Sequence, residues 1–355
     1  MRWDLYARLV DFHGDVGFAW RLAADLGARG IDVRLWLDER ADLAWMAPHG
    51  APRVQVDGWS AARHTEPGDV VLESFGCGLP DACLEQMARH PSPPPWIDVE
   101  HLSAEAYVER SHGLPSPRPG GAGAGLVEWY YYPGFTRATG GLLREPALLE
   151  TRDRFQADPW WSAIDPTGGW RPRPGERAVS VFCYPNRALA SLLEDLATQP
   201  TVLYATAGAA TLAVQPTLAG AGTNAQLRIV FLPRLSQAAY DRLLWSCDLN
   251  FVRGEDSFVR AQWAGAPFVW QAYPQIDGAH GAKVEAFLDR LLDAAPPDVA
   301  RDVRGLFRAW NGLAPWPGRW PEARAWRELV AAWRAGLAAQ TDLTTGLLAF
   351  AAARR

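Results

Sequence analysis

The sequence predicts an α/β protein of two domains, each built around a mainly parallel sheet, and three observations carry that expectation. At 355 residues the chain exceeds the length at which one hydrophobic core usually stops growing. Short apolar strands alternate with helical patterns twice along the chain, the mark of parallel-sheet units. Between the two sets, Asp158 to Glu176 is rich in Pro and Gly and has no periodic face. The expected organisation is a Rossmann-like domain over 1–157, a connecting region over 158–177 and a second Rossmann-like domain over 178–335. A C-terminal helical segment, 336–355, has the option of packing back on the first domain.

The first domain opens with an alternating apolar strand, Trp3 to Val10, followed by the loop Asp11 to Gly17 and a helix from Phe18 to Leu26. Strands follow at Val33 to Leu37 and Val70 to Leu72, the latter running into the turn-rich Glu73 to Pro80. Ligands of such sheets bind outside the carboxyl ends of the strands, which puts Asp11, Asp15 and the segment around Phe75 on one rim. Leu114 to Gly125 reads as loop, and Glu128 to Phe135 as a strand ending in a turn. The second set of strands is Ala178 to Tyr184, Thr201 to Tyr204, Leu227 to Leu232, Leu249 to Val252 and Pro267 to Trp270. Two such domains raise the question of what binds in a cleft between their rims.

Composition narrows the function. A hydrophobic content of 48% supports ordinary cores, and no segment offers the roughly 18 uninterrupted apolar residues of a membrane span. The N-terminus lacks the basic-then-hydrophobic layout of a signal peptide. Cys77, Cys83, Cys183 and Cys247 have neither a zinc spacing nor the density of a disulfide scaffold, so buried thiols and a cytoplasmic location are expected. A formal charge of −5 argues against nonspecific nucleic-acid binding, which needs a concentrated basic surface. The 18 tryptophans follow no repeat period and read as packing residues.

Two segments carry chemistry. Asn250 to Trp263 passes from an apolar strand into a helix and places Arg253, Glu255, Asp256 and Ser257 at the join. Exposed N–H groups at a helix start, with an arginine and a hydroxyl beside them, make a seat for a phosphate. The plain alternative is a helix capped by Asp256 or Ser257 beside solvated charges. In the opening loop, Asp11 and Asp15 lie four residues apart across a glycine turn, able to hold a cation while one of them accepts its proton. There the alternative is Asp15 as an ordinary helix cap. The glycines do not form the dinucleotide fingerprint, and His13 is a lone loop histidine without a ligand cluster.

Four stretches, Trp3-Asp4-Leu5 with Val10 to Gly17, Trp96 to Glu105, Tyr132 to Thr136 with Thr139 to Glu145, and Phe251 to Phe258, closely resemble the bacterial protein-arginine rhamnosyltransferases that modify elongation factor P. The resemblance runs over nearly the whole chain. It implies a two-domain glycosyltransferase of the B architecture, dTDP-β-L-rhamnose as donor, inversion at the sugar carbon, and an arginine guanidinium of elongation factor P as acceptor. The family's paired catalytic aspartates fall on Asp11 and Asp15. Its donor-binding run falls on Arg253, Glu255, Asp256 and Ser257, with Phe182, Tyr184, Tyr240 and Tyr273 matching aromatic donor-site positions. Where the family has Asn followed by Tyr or Phe after the first aspartate, this chain has Phe12 and His13.

The resemblance implies that Asp15 accepts a proton from the attacking guanidinium or activates it electrostatically, that Asp11 orients it and stabilises its positive charge, and that Glu255 either binds donor hydroxyls or helps orient the guanidinium. Phe182 or Tyr184 would stack on the thymine. No metal, nucleic acid or membrane is expected, and the protein should be a monomer. Two other classes stay open at this stage: transfer of another sugar to a small molecule, and a noncatalytic nucleotide-sugar-binding module. A metal-dependent hydrolase is disfavoured because paired aspartates alone are not a complete ligand set.

Overall fold

A computed structural model describes residues 1–9, 14–38, 43–220, 226–275 and 278–355, the side chains of 216–220 excepted. Asp11, and with it Val10, Phe12 and His13, lies outside the described residues. The chain divides into two compact units, one of Met1–Glu145 with Leu337–Arg355, the other of Pro146–Gly336.

Unit one contains β1 (Arg2–Ala7), β2 (Asp32–Leu37), β3 (Val54–Gly58), β4 (Val70–Ser74), β5 (Trp96–Val99), β6 (Pro115–Pro117) and β7 (Val127–Tyr131). They form one sheet in the order β3-β2-β1-β4-β5-β7-β6, parallel except for the β6–β7 pair. Unit two contains β8 (Arg177–Val181), β9 (Thr201–Ala205), β10 (Leu227–Phe231), β11 (Leu249–Arg253) and β12 (Phe268–Gln271). Its sheet is wholly parallel, in the order β10-β9-β8-β11-β12. In both sheets the first strand is central: the chain builds outward on one side and then crosses back to the other. The resulting switch points, between β1 and β4 and between β8 and β11, are where open α/β sheets bind ligands.

β1 is a central strand buried on both faces, and its alternation in sequence comes from Asp4. That carboxylate accepts from Arg34 Nε at 2.6 Å and Nη2 at 2.7 Å, Trp36 Nε1 at 2.9 Å and the Gly68 amide at 2.6 Å. A charge in a core is tolerated when paired and hydrogen-bonded in this way.

Three sequence expectations change. The helix expected from Phe18 begins at Gly14 and runs to Ala28, so Asp15 stands in its first turn and Gly14 and Gly17 are helical rather than turn residues. Leu114 to Gly125 is not all loop, because Pro115–Pro117 pairs with β7; proline is tolerated there because β6 is the edge strand. The region 158–177 belongs to unit two rather than lying between the units. It begins in a helix, Ala157–Ile164, whose Trp160 and Trp161 pack with Val202 and Tyr204. Its aperiodic loop is tied down by polar groups: Asp165 accepts from the Thr167 and Trp170 amides, and Arg228 donates to the Gly169 and Arg171 carbonyls.

The C-terminal helix Leu343–Ala352 places Leu343, Leu347 and Ala351 in the same core as Trp3, Leu5 and Leu22. The Thr139-Gly140-Gly141 segment makes room for it. A Cβ on Gly140 would lie 2.3 Å from the buried Tyr131 ring, and one on Gly141, at φ +72°, 2.3 Å from the Thr341 carbonyl. That part of the motif therefore reads as packing.

Candidate active site

The switch point of unit two gathers residues that are far apart in sequence. β11 ends at Arg253, Gly254 turns with φ +63°, and the helix Asp256–Ala264 starts at once, with its first N–H groups at the strand's carboxyl end. The loop after β8 brings Phe182 and Tyr184 to the same place, so that the Arg253 guanidinium carbon lies 4.5 Å from the Phe182 ring centre and 4.3 Å from that of Tyr184. A guanidinium over ring faces is held by the quadrupole of the rings while its N–H edge stays directed in their plane. Arg253 is only 9% exposed, so little water competes for that edge.

The remaining nominated aromatics complete the group. Tyr240, on the helix Gln237–Ser246, packs edge-on against Phe182 at 5.7 Å. Tyr273, beyond β12, packs edge-on against Tyr184 at 5.4 Å and is 49% exposed, the most open surface of the cluster. Burial pushes the Tyr240 hydroxyl well above its ordinary pKa. Ser257 is buried and donates its own hydroxyl to the Arg253 carbonyl, locking the strand end to the helix. The helix cap expected at Asp256 or Ser257 is instead Glu255, in helical conformation and without a side-chain cap bond, while Asp256 is the first helical residue. Glu255 and Asp256 are both partly exposed.

Sequence reasoning did not single out Gln271 and Asn311. Gln271 ends β12, is buried, and its Oε1 accepts the Tyr184 amide at 2.9 Å. Asn311, just after the helix Pro297–Trp310, accepts from the Ala272 amide at 2.9 Å and donates to the Trp270 carbonyl at 2.7 Å. An amide at the end of a strand or of a helix is the only signal the sequence offers, and it becomes meaningful only when the loops are seen together.

At the switch point of unit one, Asp15 is half-buried in the first turn of its helix, where the macrodipole favours a carboxylate. Facing loops bring Phe75, at an unusual φ of +61°, against Phe18 of that helix at 4.9 Å and flat on His101 at 4.2 Å. The turn is held by Asp98, whose Oδ1 accepts the Gly76 amide at 3.0 Å. Behind it lies a buried acidic layer, Glu73, Asp98 and Glu128, whose ligand atoms lie within 4.8 Å of one another. Burial, and after it the nearby carboxylates Asp98 and Glu128, raises the Glu73 carboxyl well above its ordinary range. Asp98 is raised to about 7, by burial first and then by Glu100. Arg118 Nη2 donates to Glu128 at 2.8 Å. The Arg118 pair and the Gly76 amide engage two of these carboxylates, and the layer belongs to the sheet of unit one.

Two doubly wound α/β units, each with polar side chains gathered at its switch point, form the B architecture of glycosyltransferases. The fold of glycosyltransferase VinC, solved in complex with dTDP, matches at a TM-score of 0.55 with 14% identity over 100% of both chains. The chain belongs to the family of elongation-factor P (EF-P) rhamnosyltransferases, EarP, which matches residues 3–352. Relatives include the protein-arginine rhamnosyltransferases of Pseudomonas putida, 42% identical, and Pseudomonas aeruginosa, 41% identical, each aligned over 98% of both chains. A solved structure describing EarP-mediated arginine glycosylation of translation elongation factor EF-P matches with a TM-score of 0.68 and 31% identity, over 100% of this chain and 99% of the other.

Proposed function

We propose that this enzyme transfers L-rhamnose from dTDP-β-L-rhamnose to the guanidinium of one arginine in translation elongation factor P, with inversion at the sugar carbon, and so activates the factor. The observation that carries the reading is the convergence of Arg253, Phe182, Tyr184 and Tyr273 on one helix start, in a chain whose family is defined by this transfer. An arginine beside a helix start suits a diphosphate, and the aromatic group of Phe182, Tyr184 and Tyr273 suits a flat base.

In this reading, unit two holds the donor and unit one the acceptor. Free arginine stays protonated at any working pH, so attack must be coupled to proton removal. Asp15 takes that proton as the guanidinium nitrogen bonds to the anomeric carbon, and the bond to the diphosphate oxygen breaks on the opposite face. Arg253 and the amides at the start of Asp256–Ala264 stabilise the charge that develops on the departing diphosphate. Asp11 orients the guanidinium, a role that rests on the family resemblance. Glu255 and Asp256 are offered to the donor sugar and ribose hydroxyls.

The leaving group is stabilised by Arg253 and amides, so no divalent ion is required, and transfer should survive exhaustive chelation. The enzyme works as a cytoplasmic monomer, without nucleic acid or membrane. The decisive test incubates it and dTDP-rhamnose with intact factor, unfolded factor and a short arginine peptide, and locates the added mass by fragmentation. One modified arginine in intact factor alone is expected, because one cationic side chain cannot discriminate among proteins. No modification of intact factor overturns the reading.

A further inference from the structure

We propose that Gln271 and Asn311 are positioning residues for the nucleotide sugar: their two side-chain amides hold the segments that carry Tyr184 and Tyr273 in one arrangement beside Arg253. The proposal rests on the donor site described above.

β12 is the edge strand of its sheet, so beyond its pairing with β11 its outer backbone groups have no strand to bond. Asn311 supplies that missing neighbour. Its Oδ1 accepts the Ala272 amide at 2.9 Å and its Nδ2 donates to the Trp270 carbonyl at 2.7 Å, the alternating pair that another strand would contact. Nδ2 is also bonded to the Phe307 carbonyl at 2.8 Å, which anchors Asn311 to its helix. The chain therefore leaves β12 along one path, and Tyr273, next after Ala272, follows it to the edge of Tyr184.

Gln271 points the other way along the strand and ties the neighbouring loops. Its side-chain oxygen accepts the Tyr184 amide at 2.9 Å, while its own carbonyl accepts the Gly254 amide at 3.2 Å. One residue thus fixes the loop after β8 and the loop after β11. The same helix end closes the ring, because Asn186, two residues beyond Tyr184, donates to the Trp310 carbonyl at 2.8 Å. Trp270 adds a further tie, donating to the Gly254 carbonyl at 2.7 Å. Loops that hold a ligand bind it more tightly when their ordering cost is met before binding, and buried amide bonds meet it here.

The test measures dTDP affinity by titration and steady-state rhamnosyl transfer for Gln271→Leu, Gln271→Glu, Asn311→Leu and Asn311→Asp. Gln271→Leu and Asn311→Leu should weaken dTDP binding and raise the donor KM about tenfold, the size of one lost buried hydrogen bond, with kcat within about twofold. Gln271→Glu keeps the acceptor oxygen and should restore most of the affinity, whereas Asn311→Asp sets an acceptor against the Trp270 carbonyl and should not. Leu196→Ala, a buried change in another helix of the unit, serves as the stability control. It should lower Tm without altering dTDP affinity. Should the leucine variants fail to fold, the contrast between Gln271→Glu and Asn311→Asp carries the test. Wild-type affinity in folded Gln271→Leu and Asn311→Leu, equal affinities in the Glu and Asp variants, or an equal loss in Leu196→Ala overturns the proposal. Absence of dTDP binding by the wild-type enzyme would instead refute the donor site itself.

Discussion

The two units wind their central strands in the same order and place their polar groups at the same switch point, yet the two rims carry opposite chemistry. At the second rim a guanidinium lies over two aromatic rings at the start of a helix, and the neutral amides of Gln271 and Asn311 brace the segments around it. At the first, a half-buried carboxylate opens a helix and three more carboxylates lie buried behind the facing turn. Topology sets where a ligand binds, and the loops set its sign. An aromatic rim with a nearly buried arginine suits a nucleoside diphosphate, and a rim with a half-buried carboxylate suits a guanidinium. On the proposed reading, this division assigns donor and acceptor.

The largest effect should come from Asp15→Asn, which keeps the side-chain size and removes the proton acceptor. Transfer should fall about 10²–10⁴-fold while dTDP affinity holds, because general-base catalysis contributes on that scale. Near-normal turnover would erase the base assignment and the contrast between the rims.

Each unit also buries a bidentate arginine pair, Arg34 with Asp4 in the first and Arg260 with Asp241 in the second. Removing one partner leaves a buried charge, so Asp4→Ala and Asp241→Ala should each cost about 3–5 kcal/mol by denaturant titration. The ligand response separates them. Asp241 neighbours Tyr240 and braces the helix that begins at Asp256, so its loss should weaken dTDP binding, whereas Asp4→Ala should not. Equal effects on dTDP affinity would contradict the assignment of the donor site to unit two.

Arg253→Ala should weaken dTDP binding about 10- to 100-fold, the range of a charge-assisted hydrogen bond. Arg253→Lys should recover only part of it, since a lysine keeps the charge but not the planar fork that rests on the rings. Unchanged affinity in direct titration would remove Arg253 from the diphosphate site.

A smaller effect is confined to unit one. Burial, and after it Glu100, raises the Asp98 carboxyl from its ordinary 3.8 to about 7 in the folded state. Between those two values the folded state holds a proton that the unfolded chain releases, so this group's contribution to stability falls as pH rises from about 4 through 7. Asp98→Asn can still accept the Gly76 amide and has no charge to bury. The Tm difference, variant minus wild type, should therefore grow from pH 4 to pH 8 and then level off. A difference independent of pH would show that Asp98 is an ordinary carboxylate.

The sequence by itself determined the strand order along the chain, the helix that follows Arg253 and the residue types at both rims, because apolar periodicity and helix-start chemistry are local. The strands β8 to β12 were legible for that reason, since each is a short apolar run between polar loops. What only the tertiary structure decided is non-local. The helix carrying Asp15 starts at Gly14, earlier than its two glycines suggest, because eleven of its residues are buried and packing outweighs propensity. Region 158–177 looked like a linker because its loop has no period, yet two adjacent tryptophans and a set of backbone-directed polar bonds fold it into unit two. The clustering of Phe182, Tyr184, Tyr240 and Tyr273 around Arg253 arises from the crossing back of the chain between β8 and β11. Gln271 and Asn311 acquire meaning only there, since a hydrogen bond between residues 87 positions apart leaves no periodic trace in the chain.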